Sequence, residues 1–264
     1  MAQPARRSRA TPGRPRGAGT LSVRGAARKP GPRAPSAKVS AKPHPRQVRI
    51  PRIAQLDADA VRRLFAKLSR AIPNPKSELH YGTPFELLVS VMLSAQALDR
   101  SVNLATQRLF PAANTPQAIL ALGEAGLLSY IHTIGLAPTK ARNILATCRM
   151  LLERHGGQVP ADRESLEALP GVGRKTANII LNTAFGQAVV AVDTHVFRVA
   201  NRTGLAPGKD VRAVEDGLMR AIPPAYLKSA HHLLILHGRY TCKARQPLCG
   251  TCPIRAECAW PEKT

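Results

Sequence analysis

Acidic residues are scarce: 16 Asp and Glu stand against 39 Lys and Arg in 264 residues, a formal net charge of +23, and residues 1–50 contain no acid at all. A field of that sign draws in polyanions, which is a statement about partners rather than about fold. No apolar run approaches the roughly 18 residues a membrane-spanning helix needs. No apolar segment follows the N-terminal charges either, so neither a transmembrane anchor nor a secretory signal is read. No stretch alternates apolar and polar residues over the length of a strand, which leaves an all-α chain as the expectation.

Residues 1–50 hold 13 of the Lys and Arg, eight prolines and no periodic apolar face, the composition of a disordered basic arm. Contact with phosphates, weakening steeply with salt, is its expected use. An organelle-targeting peptide is the rival reading, and the prolines oppose the amphipathic helix such a peptide requires. The remaining 214 residues stay basic by ten charges.

Helical signals begin near Leu56. Val61, Leu64, Phe65 and Leu68 share one face of a helix reaching about Ala71. Thr83-Pro84-Phe85-Glu86 combines a capping threonine, a first-turn proline and a glutamate three residues after the threonine. The helix it opens is apolar nearly all round through Leu93, so it is expected at the centre of a core. Asp99 is read as the cap of the next helix, over residues 100–110, followed by short helices from Thr115 and from Glu124. A helix from Pro138 to His155 stops at Gly156-Gly157, as a left-handed cap demands. Further helices are expected over 162–168, 174–185, 194–202, 211–221 and 225–240.

Two glycines separate the last of the short helices from the one that follows. In Leu169-Pro170-Gly171-Val172-Gly173-Arg174-Lys175-Thr176 the proline and glycines break one helix just before another begins. Glycines without Cβ let backbone N–H groups approach an anion, and a helix N-terminus favours negative charge, so the turn is a candidate phosphate socket. Beside it Lys175 supplies an amine, and Asp193, in Val192-Asp193-Thr194-His195, supplies a carboxylate at a helix start. Taken singly, a Gly-x-Gly turn is an ordinary connection, Lys175 a surface lysine and Asp193 a helix cap. Together they offer a nucleophile and an acid/base partner next to a phosphate site. Thr133-Ile134-Gly135-Leu136 and the helix after it echo this unit 36 residues earlier, with Leu136 at the loop tip.

Cysteine is absent until Cys148, and four of the five lie in the last 23 residues as Cys242-x6-Cys249-x2-Cys252-x5-Cys258. With no sign of secretion, metal binding is favoured over disulfides. Thiolates suit zinc or an iron–sulfur cluster, and spacing alone does not choose between them. Cys148, alone in a helix, is read as a buried core thiol.

The run from Leu169 to Asn182 with Val192-Asp193-Thr194-His195 resembles the helix–hairpin–helix and Gly/Pro-Asp signature of the endonuclease III family of DNA glycosylases, over about residues 54–260. The resemblance implies two helical domains with a DNA-binding cleft between them. One is a six-helix barrel over 77–187, with the hairpin at about 165–185. The other is a discontinuous cluster domain over 54–76 and 188–264, and a disordered tail covers 1–53. It implies that Lys175 is the Schiff-base nucleophile, Asp193 the essential carboxylate, and Cys242, Cys249, Cys252 and Cys258 the ligands of one [4Fe–4S] cluster, whose family spacing theirs matches. Gln96 would fill the gap left by the extruded base, and Leu136 would wedge into the stack. Leu98 stands where the family motif around Gln96 typically has threonine. Gly171, Val172, Gly173, Arg174, Thr176, His195, Lys243 and Arg245 are the remaining expected DNA contacts.

The activity so implied is that of a bifunctional glycosylase and abasic-site lyase acting on oxidised pyrimidines in double-stranded DNA, as a monomer, in the cytoplasm at the nucleoid. Neutral Lys175 would attack C1′ of the flipped nucleotide, which requires the site to lower an amine pKa normally near 10.4. Arg174 and the helix N-terminus are the expected positive neighbours. A monofunctional glycosylase of the same superfamily, whose members lack this lysine, and a non-catalytic helix–hairpin–helix DNA-binding protein are the alternatives. His231 is read as helix packing, and His195 as a residue that orients Asp193 or touches phosphate.

Overall fold

A computed structural model describes residues 53–263; apart from Ile53, the basic tail expected over residues 1–53 lies outside them. The described residues form ten α-helices and one short 3-10 turn, with no strand among them. The all-α expectation is met. The helices are α1 (Ala58–Ala71), α2 (Pro84–Ser94), α3 (Asp99–Leu109), α4 (Pro116–Ile131), α5 (Ala137–His155), α6 (Arg163–Glu167), α7 (Arg174–Thr183), α8 (Thr194–Thr203), α9 (Val211–Ala221) and α10 (Pro224–Tyr240).

Short polar side chains set most of the starts. Asp57, Thr83, Thr115, Asp162, Asp193 and Asp210 each accept a first-turn N–H. Glu86 completes the box at α2 by accepting from the Gly82 N–H at 2.5 Å, one residue before the cap. Asp99 departs from expectation. It is the first residue of α3, behind a cap position held by Leu98, whose side chain cannot accept a hydrogen bond. Leu98 is 76% exposed and offers no side-chain acceptor, which leaves the α3 N-terminus without a side-chain cap. The two short helices expected between Thr115 and Ile131 form the single span of α4, broken at Gly123. Gly156, left-handed at φ 57°, closes α5.

Buried apolar side chains fall into two clusters. The first is built by α2–α7, with Leu87, Leu88 and Leu93 of α2 fully buried at its centre; α2 packs against α3, α5 and α7. The second joins α1 to α8, α9 and α10 and to Ile254. Val61, Leu64, Phe65 and Leu68 are the buried face of α1, each contributing roughly 1.5–3 kcal/mol of burial before entropy is counted. Phe65 stacks on Tyr226 at 5.4 Å between centroids, fastening α1 to α10. The chain crosses between the clusters after α7, where buried Asn182 donates to the carbonyls of Val189 at 3.0 Å and Lys228 at 3.1 Å. Those bonds hold the end of α7 against α10 and fix the path into Asp193.

Candidate active site

Side chains from both clusters line one cleft of about 1100 Å³. Lys175 in the first turn of α7, Asp193 at the cap of α8, Gln96 after α2 and His195 all contribute to it. Asp193 does serve as a cap: its Oδ1 accepts from the N–H of His195 at 2.9 Å and of Val196 at 2.8 Å. Its second oxygen has no protein partner among the described residues. The structural role therefore occupies one oxygen and leaves the other for chemistry. Lys175 is exposed, with no hydrogen bond or ion pair among the described residues.

His231 on α10 forms the floor. Its Nδ1–H donates to the carbonyl of Ala191 at 3.0 Å, bracing the segment that ends in Asp193. Burial above all, with His232 adding to it, pushes the imidazole down to about 4, so it is neutral at physiological pH. Asp193 and Lys175 both lie within its electrostatic reach. The helix-packing reading of His231 is thus incomplete, because it touches the cleft as well as the core. His195 lies where α8 meets α10, against Gly238, where an added Cβ would come within 2.9 Å of the His195 Cβ. Arg198 reaches the His195 Nδ1 at 3.1 Å, and since a guanidinium only donates, the ring proton belongs on Nε2.

Across the cleft Arg239 of α10 pairs with Asp99 at 2.6 Å and also with Glu78, which Tyr240 contacts through its hydroxyl. Sequence reasoning missed this cluster. Its members lie 140 and 161 residues apart, and no local pattern marks them.

The hairpin before α7 is held from behind. Thr147 of α5 donates to the Pro170 carbonyl at 3.0 Å. Gly171 takes φ +79°, and a Cβ there would lie 2.7 Å from Asn143 Nδ2, so both conformation and space call for glycine. Gly173 is the α7 cap residue, has no side-chain cap, and faces open space. Two of the expected contacts are otherwise engaged. Val172 is buried, and its N–H already donates to the Leu169 carbonyl at 3.0 Å. Arg174 is clasped by Glu215 through Nε at 3.0 Å and Nη2 at 2.8 Å. Its charge is offset there by Glu215, which weighs against Arg174 as the positive neighbour expected for Lys175. Thr176 is half-buried in the first turn of α7.

Gln96 and Leu136 are both exposed and are the non-glycine residues with positive φ among those described, at 55° and 63°. Lys243 and Arg245 are exposed on the loop after α10, outside the cleft.

That loop borders a second, small pocket lined by Cys242, Cys249, Cys252 and Cys258 with Arg202, His237 and Trp260. Among the described residues no three His, Cys, Asp or Glu side chains are gathered closely enough to form a single-ion site. Burial first, and the neighbouring sulfurs after it, push the Cys252 and Cys258 thiols up. Arg202 reaches Cys242 Sγ at 3.7 Å and stacks over Trp260 at 5.4 Å, and Arg198 holds the Cys242 carbonyl at 2.9 Å. The donor set fits a group held by four thiolates. Cys148 is fully buried and its thiol is pushed up to about 12 by burial, in keeping with a core role.

Residues 89–224 match the family described as HhH-GPD superfamily base excision DNA repair protein. Endonuclease III of Haemophilus influenzae is 59% identical over 200 residues, 76% of this chain and 95% of that protein. Endonuclease III of Escherichia coli K12 is 58% identical with the same shares. A solved structure of a trapped endonuclease III–DNA covalent intermediate, an estranged-adenine complex, superposes with a TM-score of 0.73 at 43% identity, over 77% of this chain and 96% of that one.

Proposed function

Because the chain belongs to the endonuclease III family of the HhH-GPD superfamily, we propose that it is a bifunctional DNA glycosylase and abasic-site lyase of base excision repair, excising oxidised pyrimidines from double-stranded DNA. The observation that carries this is the shared cleft of Lys175 and Asp193, which joins an uncommitted amine to a carboxylate with one unused oxygen.

The chemistry follows from those two groups. A base must leave the stack before its C1′ can be reached. The Lys175 amine forms a bond to C1′ as the C1′–N bond to the damaged base breaks, and the base departs with a proton. Asp193 stabilises the positive charge developing on the sugar and assists proton transfer. Ring opening leaves a Schiff base, which acidifies the C2′ proton. Its removal breaks the C3′–O bond and expels the 3′ phosphate. His231, neutral and fixed to Ala191, holds the approach to Asp193 without adding a positive charge to the site. The uncapped N-terminus of α7, at Gly173 and Thr176, is the phosphate socket, and Gln96 and Leu136 enter the duplex from the loops after α2 and before α5. Lys243 and Arg245 contact phosphate alongside.

Cys242, Cys249, Cys252 and Cys258 would hold one [4Fe–4S] cluster, a reading supported by their common cavity and all-thiolate donor set. When bound, such a cluster would offset part of the thiolates' charge and add its binding energy to the folding of a C-terminal segment too small to bury a core of its own. The two clusters of buried side chains support a barrel domain over 77–187 and a cluster domain made of 54–76 and 188–264. Action on DNA inside the cell, as a monomer, goes with this reading; no described helix is long and apolar enough to cross a membrane.

Borohydride reduction during reaction with abasic duplex DNA in chelator tests the proposal. A covalent protein–DNA adduct is expected from the unaltered chain and none from Lys175→Ala. Trapping that survives the substitution overturns the assignment of the nucleophile, and absence of nicking in the unaltered chain removes the lyase step, leaving a monofunctional glycosylase or a non-catalytic DNA-binding protein.

A further inference from the structure

Lys140 is a buried lysine without a carboxylate. It is 7% exposed and pairs with no Asp or Glu among the described residues. Its ammonium instead donates to the carbonyls of Leu93 at 2.7 Å and Ala95 at 2.6 Å. Those carbonyls belong to the last turn and the C-cap of α2, where a helix leaves acceptors unpaired and concentrates partial negative charge. Burial draws the amine downward from its ordinary range, the cost of keeping it there. A hydrophobic side chain would fill the same volume without that cost, so the placement calls for a reason beyond packing.

The reason lies in what flanks the two carbonyls. Ala95 is followed directly by Gln96, at φ 55°, and Lys140 is one turn into the helix that begins behind Leu136, at φ 63°. The Lys140 N–H closes that turn on the Leu136 carbonyl at 3.0 Å. The two loops also run close together, since a Cβ added to Gly135 would lie 3.9 Å from the Gln96 carbonyl. The non-glycine residues held left-handed among those described are thus adjacent, and one side chain bridges their supports. A left-handed residue with a side chain costs free energy and persists only where its surroundings over-determine it.

We propose that Lys140 is a positioning residue for entry into the duplex, its ammonium joining the end of α2 to the start of α5 so that Gln96 and Leu136 project as one rigid edge. This rests on the reading of Gln96 and Leu136 as the inserted residues. Pre-set loops spare the ordering cost that flexible ones incur on binding.

The test uses the full chain and duplexes carrying 2-aminopurine opposite a tetrahydrofuran abasic analogue, whose fluorescence rises when the estranged base is unstacked. Lys140→Met keeps the stem and removes the donors, and Lys140→Gln returns two neutral ones. Lys140→Met is expected to lower the fluorescence rise and to slow single-turnover excision from a paired lesion by about tenfold. Strand cleavage at an abasic site in single-stranded DNA, which needs no insertion, is expected to stay within about twofold, and Lys140→Gln to recover part of the duplex rate. Equal losses on duplex and single strand would mean general damage and overturn the proposal, as would an unchanged fluorescence rise. Should Lys140→Met fail to fold by circular dichroism, Lys140→Gln carries the same comparison. Gln96→Ala and Leu136→Ala separate the two levels. If neither alters the signal, the insertion reading falls and this proposal with it; if both abolish it and the Lys140 variants do not, only the role of Lys140 falls.

Discussion

Asp193 has two jobs that one pair of substitutions can pull apart. As a cap, its Oδ1 alone accepts both first-turn N–H groups of α8, at 2.9 and 2.8 Å. Asparagine offers a carbonyl oxygen in the same place, so Asp193→Asn keeps both bonds and forfeits only the charge–dipole part, about 0.3–1 kcal/mol. Asp193→Ala removes the bonds as well, a further cost of about 1 kcal/mol. In a domain of this size 1 kcal/mol lowers Tm by about 2–4 °C, which thermal melting resolves. Catalytically the two variants are alike, since neither carries a carboxylate, and losing a positioned acid/base group typically costs about 10²–10⁴ in rate. A shift of 1–2 kcal/mol in a folded protein cannot by itself produce that loss at 25 °C. Both variants are therefore expected to fall equally far in single-turnover excision while differing in Tm. An Asp193→Asn protein that retains activity within a few-fold, with only Asp193→Ala impaired, would reduce Asp193 to a cap and refute the mechanism.

The clasp between Arg174 and Glu215 should behave asymmetrically: the Glu215 side chain is 7% exposed and that of Arg174 32%. Arg174→Ala strands the buried carboxylate and is expected to cost about 3 kcal/mol, more than Glu215→Gln, by urea unfolding at pH 7.5; the reverse order would show that the pair is not the buried support described. His231 sits near 4 in the folded protein against an unfolded value near 6.5, so the unfolded chain binds the extra proton in between. Its contribution is intact above pH 6.5 and is lost as pH falls toward 4, up to ~3 kcal/mol. His231→Gln should flatten that part of the pH–stability curve, and an unchanged slope would contradict the burial argument. Gly171→Ala should destabilise by about 2 kcal/mol through its positive φ and the clash with Asn143. Gly173→Ala should melt normally yet bind duplex more weakly, because its Cβ would stand in the open space left for phosphate; equal behaviour of the two glycines in melting would refute the distinction.

Signals confined to a few neighbouring residues read through to the structure. Thr83-Pro84 starts α2, Asp162 starts α6, Gly156 ends α5, and the apolar face of α1 is the buried face, because caps and 3.6-residue periodicity act within one or two turns. Where a residue could satisfy a local or a distant partner, the local reading misled. Asp99 looked like a cap and is paired with Arg239, while Arg174, expected as a positive neighbour of Lys175, is held by Glu215. Both partners, Arg239 and Glu215, come from other helices, and an ion pair spanning 41 or 140 residues leaves no periodic mark.

By itself the sequence determined the helical class, most helix limits, the hairpin with Lys175, and the grouping of four cysteines, all of which depend on contacts between residues close along the chain. Tertiary structure alone decided that Lys175 and Asp193 share a cleft, that neutral His231 lies beneath them, that Arg239 spans Asp99 and Glu78, and that Lys140 ties the Gln96 loop to the Leu136 loop. Those relations arise when two apolar clusters are packed side by side, and packing places together groups whose separation along the chain carries no information about their separation in space.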